Sequence, residues 1–419
     1  MATHDGLHAQ ATKAIERCHE LARFSENPNG TTRTFLSPAM HDCHRAIAKW
    51  LEPLGTNVSV VIDAAGNFRA VYRGTELKAP RLLIGSHLDT VPNAGAFDGP
   101  LGVVLGAAFL ERAHKERLPF DLEIVGFSEE EGVRFSAPFI GSRALVGTLD
   151  DDLLCRKDEL GITVRQAIDS FGLNPADIPR ARLQGEILGY VEFHIEQGPV
   201  LESLGLPLAA VDAIASQARI ELLFTGRPNH AGTTPMHLRY DSVAGAAEWI
   251  AAVERQGKSV EGLVATVGIV EPKPGVANVI AGETRVTLDV RHRSDEIRAR
   301  EASGAIRAAE EIASRRGLSL THRVLLDQRA VPMDATLVSQ IDEALRKSGC
   351  QPHHIVSGAG HDAMILAARV PAAMIFLRTP GGISHSPAES VLVEDVEKAI
   401  EAGSHLLELL ATSPVHKGA

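Results

Sequence analysis

Apolar and polar positions along the chain fall into two successive rhythms. In the first half, residues 8–23 and 38–54 read as helices, and the short apolar runs Arg81–Ile84 and Leu122–Phe127 read as buried strands. Between those runs lies a Gly- and Ala-rich helical stretch, Gly102–Lys115. Strand, helix and strand at this spacing predict a parallel sheet with crossover helices. Ligands of such sheets collect beyond the carboxyl ends of the strands. The polar residues that follow Ile84 and Phe127 are therefore where chemistry is expected.

The rhythm changes near Ser216. Arg219–Thr225 reads as a strand, Ser242–Glu254 as a helix, Leu263–Val270 and Thr284–Val290 as strands, Asp295–Arg315 as a long helix and Ser319–Leu325 as a strand. The order βαββαβ is the split ferredoxin-like unit. After Val331 the α/β pattern resumes, with a strand at Ala372–Leu377 and a last helix near Glu394–Leu410. The expected organisation is a main domain in two pieces, 1–214 and 330–419, interrupted by an inserted domain at 215–329. Repeats and low-complexity stretches are not seen.

Composition narrows the class. With 44% apolar and 23% charged residues the chain is globular rather than disordered. A net charge of −11 argues against a broad nucleic-acid-binding surface. Cys18, Cys43, Cys155 and Cys350 are far apart and form no C-x-x-C pair, so neither a zinc ribbon nor a disulfide framework is expected. The longest apolar stretches, Leu101–Leu110 and Val370–Leu377, are shorter than the ~20 residues that span a bilayer. The opening Met-Ala-Thr-His-Asp does not resemble a signal peptide. A soluble, cytoplasmic protein is expected. The eighteen histidines matter only through their neighbours, since imidazole is both a metal ligand and a proton carrier.

Several of those neighbourhoods carry chemistry. In Gly85-Ser-His-Leu-Asp-Thr90, His87 and Asp89 share one face of an extended strand, so Asp89 could accept one ring N–H while His87 binds a metal through the other nitrogen. Taken alone, the pair reads as a surface histidine beside an acid. Asp98, embedded in Phe97-Asp-Gly-Pro-Leu-Gly102, reads alone as a helix N-cap. Glu129, Glu130 and Glu131 follow the strand ending at Phe127, where adjacent carboxylates raise one another's pKa unless a cation intervenes. His194 lies in an extended run with alternating acids, and His385 in a loop bounded by Gly381 and Pro387. Three imidazoles and two acids on strand-end loops suit a pair of zinc, manganese or cobalt ions.

The blocks GSHLDTVPNAGAFDGPLG, SEEEGVRF, FHIEQGPVLE, GRPNHAGTTPM, GAGHDA and GGISHSPAE, in that order between residues 10 and 410, resemble the M20 metallo-amidohydrolases. More narrowly they resemble the branch of N-carbamoyl-L-amino acid hydrolases, allantoate amidohydrolases and β-ureidopropionases. The resemblance implies an α/β catalytic domain, with a mixed, mostly parallel sheet, and an inserted ferredoxin-like dimerisation or lid domain. It implies two divalent metal ions per subunit (Zn, Mn or Co), with His87 and His194 on one, Glu131 and His385 on the other and Asp98 between them. Glu130 takes the part of the general base. Reading the triplet one residue earlier would give Glu129 and Glu130 instead. Gln217, Asn278 and Arg291 fit the places that hold the substrate's carboxylate and amide, and Arg suits a carboxylate through its two parallel donors. His230 fits the oxyanion-stabilising residue, reaching in from the partner subunit of a homodimer, and His361 a further substrate contact.

The activity so implied is hydrolysis of a ureido C–N bond, with an N-carbamoyl-L-amino acid preferred over allantoate or N-carbamoyl-β-alanine as substrate. An M20 dipeptidase is disfavoured by the HIEQG block. A catalytically inert scaffold is disfavoured because the ligand, base and oxyanion positions all carry suitable residue types.

Overall fold

The computed structural model describes residues 4–76 and 79–412 and divides into two compact units. One comprises Met1–Asp212, Met333–Ile355 and His361–Ala419, the other Ala213–Pro332 with Val356–Gly360. The sequence expectations for residues 1–3 and 413–419, at the outer ends of the main-domain assignments, lie outside the described residues.

The larger unit is built on a mixed sheet. Across it run the strands Val58–Ile62, Phe68–Tyr72, Asp121–Phe127, Arg81–His87, Ile187–Ile195, Ala372–Leu377 and Leu208–Ile214. The central four are parallel to one another, and the flanking pairings are antiparallel. Asp121–Phe127 and Ala372–Leu377 are buried along their whole length. Such runs are the signature of strands covered on both faces, which is why they read as unbroken apolar segments. The helices Pro100–Glu116 and Val393–Thr412 supply much of the buried apolar surface.

The strand that opens at Arg81 runs three residues further than the apolar pattern suggests and ends on His87 itself. The Tyr190–Ile195 segment is likewise a strand, ending one residue past His194. Both imidazoles therefore stand at the carboxyl ends of neighbouring parallel strands. The helix Pro100–Glu116 begins beside them, and a Cβ on Gly102 would come within 2.2 Å of the Phe193 carbonyl oxygen. Only glycine allows the helix this close.

The second unit is the expected βαββαβ. Its four antiparallel strands, Ser319–Gln328, Ser216–Thr225, Glu283–His292 and Val264–Lys273, lie side by side in that order. Two helices, Ser242–Ser259 and Asp295–Arg315, pack against one face. Trp249, fully buried, donates its indole N–H to the Ala305 carbonyl at 2.8 Å and so fastens the two helices together. The four cysteines are free thiols, and no helix of the described residues is long and apolar enough to cross a membrane.

Candidate metal centre and active site

His87 and His194 each donate Nδ1–H to a backbone carbonyl, of Asp89 at 2.9 Å and of Ile195 at 2.8 Å. That choice of tautomer leaves the two Nε2 lone pairs facing inward, 3.4 Å from each other. The Asp98 carboxylate completes the convergence, with Oδ1 3.2 Å from His194 Nε2 and 3.8 Å from His87 Nε2. Three acceptors directed at one point repel one another unless a cation lies among them. Asp98 is not a helix cap, for the cap position is Gly99. Gly99 holds φ +85°, and a Cβ there would strike the His87 ring at 2.5 Å.

A second group shares the same carboxylate. His385 Nε2 lies 3.0 Å from Asp98 Oδ2 and 3.5 Å from a Glu131 oxygen. In each of the sets His87–Asp98–His194, Asp98–Glu131–His385 and His87–Glu130–Glu131 the nearest donor atoms all lie within 4.8 Å of one another. Glu129 belongs to none of these sets. It is fully buried, and one of its oxygens accepts the Val133 N–H.

The electrostatics match this reading. Burial raises the pKa of Glu130 well above the carboxylate range, with the Glu131 charge adding to it and His87 opposing. Burial likewise pushes Glu131 up to about 7. Burial disfavours the Asp98 anion, but hydrogen bonds from His194 and His385 in their protonated forms, with the charge of protonated His87, outweigh it and hold the carboxyl well below its usual range, so that protons on these rings do what a cation does among the neutral ones. Nitrogen and oxygen donors, with acids crowded together in a buried site, fit a divalent cation, which relieves the repulsion.

One sequence expectation is corrected here. The Asp89 carboxylate does not serve as the main partner of the His87 ring, since its nearer oxygen is 3.5 Å from Nδ1. The Asp89 backbone carbonyl does that work, and the side chain accepts the N–H groups of Glu130 and Glu131 instead. The strand ends at His87, so the chain turns and brings the Asp89 carbonyl under the ring.

His361 is buried, its ring edge-on to His194 at 4.5 Å between centroids. The other candidates belong to the second unit. Gln217 and Arg291 are cross-strand partners there, and both donate to Asp289, at 2.6 and 2.7 Å. Arg291 also donates to the Gly358 carbonyl at 2.5 Å. His230 pairs with Val279 in a short ribbon, and the Asn278 carbonyl accepts the Ala231 N–H at 2.9 Å. His230 is exposed.

Sequence reasoning passed over the residues that hold Asp98. Gln197 donates Nε2–H to both Asp98 oxygens at 3.0 Å, and Ser384 donates to Oδ2 at 2.9 Å. Both were in view, one closing the HIEQG block and the other preceding His385. Gln197 and His385 take φ +58° and +55°, left-handed conformations that non-glycine residues adopt at a cost, often at functional sites.

Comparison with known proteins agrees with the geometry. The profile of peptidase family M20/M25/M40 matches residues 83–409. The chain is 36% identical over 406 residues to an N-carbamoyl-L-amino acid amidohydrolase of Geobacillus stearothermophilus, covering 96% of this chain and 99% of the relative. It is also 36% identical over 433 residues to allantoate deiminase 2 of Glycine max, covering 95% and 89%. Among solved structures, a hydantoinase/carbamoylase family amidase from Burkholderia ambifaria superposes with a TM-score of 0.89 at 32% identity, covering 96% of this chain and 98% of that one. The buried donor groups sit in a chain matched over nearly its full length, and it follows that this protein belongs to the M20 peptidase family and is a hydrolase acting on amide bonds.

Proposed function

We propose that the protein hydrolyses the ureido C–N bond of an N-carbamoyl-L-amino acid, giving the amino acid, CO2 and ammonia. The reading is carried by the two donor groups that share Asp98 with Glu130 beside them. His87, Asp98 and His194 would hold one divalent ion, and Asp98, Glu131 and His385 the other. Bound there, such ions lower the pKa of a water and polarise a carbonyl.

Glu130 removes the proton of the attacking water and returns it to the leaving nitrogen. A carboxylate beside the attacking water can serve both halves of that task. Arg291, held in direction by Asp289, binds the substrate's carboxylate with Gln217 and Asn278. His230 donates to the oxyanion of the tetrahedral intermediate.

The protein is further proposed to work as a homodimer through residues 215–329, with His230 serving the partner's site. Exposed apolar side chains in that segment, among them Val264, Ile269, Val270 and Val324, support such an interface.

Allantoate is the second reading, favoured by equal identity to the Glycine max deiminase. Side-by-side turnover of N-carbamoyl-L-amino acids, allantoate and N-carbamoyl-β-alanine, each with added Zn²⁺, Mn²⁺ or Co²⁺, separates them. Preference for allantoate would replace the first reading, and inactivity on all three with every ion would overturn both.

A further inference from the structure

Four residues after His385, on the same loop, lies Glu389. Its side chain is buried, and Oε1 accepts the backbone N–H groups of two consecutive residues, Phe97 at 2.7 Å and Asp98 at 2.9 Å. The second is the residue whose carboxylate is common to both donor groups. The Glu389 N–H in turn donates to the Ser386 carbonyl at 3.0 Å, closing a short turn next to His385. The fit against the Asp98 loop is tight, for a Cβ on Gly95 would lie 2.5 Å from the Glu389 Cβ.

The other oxygen, Oε2, is buried without a hydrogen-bond partner. An acid buried in this half-satisfied way lowers stability. The two amides it does satisfy are those that aim Asp98.

We propose that Glu389 is a positioning residue for the Asp98–Glu131–His385 group: it grips the Phe97 and Asp98 amides, sets the direction in which the Asp98 side chain leaves the backbone, and ties the His385 loop to the Asp98 loop. The proposal rests on the metal-centre reading given above. Glu389 touches neither substrate nor reacting atoms in this role. What counts is an acceptor oxygen at that reach.

The test compares the wild type with Glu389→Gln, Glu389→Asp and Glu389→Ala. Mn²⁺ affinity and stoichiometry are read by competition with a chelating dye, and the melting temperature of the chelator-treated proteins serves as the control for folding. Gln keeps an oxygen at the same reach and is expected to bind within about threefold of wild type, whereas Asp and Ala withdraw it and lose roughly 10- to 100-fold at one site, the usual cost of removing a group that orients a ligand. If the Ala variant fails to fold, the contrast between Gln and Asp decides. Wild-type binding by the Asp and Ala variants would overturn the proposal. So would an equal loss in the Gln variant, or a lower melting temperature with unchanged affinity. A wild type that binds no Mn²⁺, Zn²⁺ or Co²⁺ would overturn the metal-centre reading instead.

Discussion

Asp89 accepts the backbone N–H of Glu130 at 2.9 Å and that of Glu131 at 3.1 Å, one with each carboxylate oxygen. Its carbonyl meanwhile fixes the His87 ring. A single residue thus aligns the proposed base, one ligand from each donor group and the strand end between them. Asp89→Asn would turn an NH2 toward one of the two amides. Turnover and metal affinity are both expected to fall roughly 10- to 100-fold, measured by steady-state kinetics and metal titration. Unchanged values would remove Asp89 from the framework of the site.

Glu130→Gln keeps the shape of the side chain and removes its ability to take a proton. Turnover is expected to drop by about 10²- to 10⁴-fold while metal stoichiometry is retained. Near-normal turnover of the metal-loaded variant would show that another group is the base.

Arg291→Lys replaces a planar two-pronged donor with a point charge. KM for a carboxylate-bearing ureido substrate is expected to rise about 10- to 100-fold, with a smaller change in kcat. An uncharged ureido compound of the same size should be handled alike by both forms. Equal effects on the two substrates would dissociate Arg291 from carboxylate binding.

His230→Ala should lower kcat by about 10²- to 10³-fold, the cost of one oxyanion donor. If His230 serves the neighbouring subunit, mixing this variant with Glu130→Gln should restore activity, because one hybrid site receives both intact residues. No recovery in verified hybrid dimers would confine His230 to its own chain.

His44 offers a pH test remote from chemistry. Its ring is buried without a hydrogen-bond partner on either nitrogen, and burial, aided by His41 and Arg33, pushes its pKa down to about 3. The unfolded chain takes up this proton near 6.5, so the stability due to the neutral ring is full above that pH and is lost as pH falls toward 3. At pH 5 the loss is about 2 kcal/mol. His44→Leu should therefore melt less differently between pH 7.5 and pH 5 than wild type does. An identical pH response in the two proteins would contradict it.

The secondary structure was most legible where burial imposes a single pattern. Asp121–Phe127 and Ala372–Leu377 announce themselves as apolar runs, and the periodicity of Asp295–Arg315 located that helix to the residue. Val58–Ile62 was not legible, because it lies at a sheet edge and is largely exposed. Of the site, the donor types could be named from motifs. The roles of Gln197, Ser384 and Glu389 could not, since each acts by reaching Asp98 across about a hundred residues or more of sequence. The use of the Asp89 carbonyl in place of its carboxylate was hidden for a related reason. It depends on where a strand stops.

The segment Ala213–Pro332 leaves and rejoins the chain at adjacent residues: Met333 donates its N–H to the Asp212 carbonyl at 3.0 Å, and the next residues inward, Ala213 and Pro332, are sheet partners, while Val356–Gly360 is a second stretch of the same unit. A change in the length of that segment therefore need not part Asp212 from Met333. The residues assigned to substrate thus lie on a loop of sequence whose two ends are joined, and Val356–Gly360 would have to be removed with it for the proposed ion-holding residues to be examined alone.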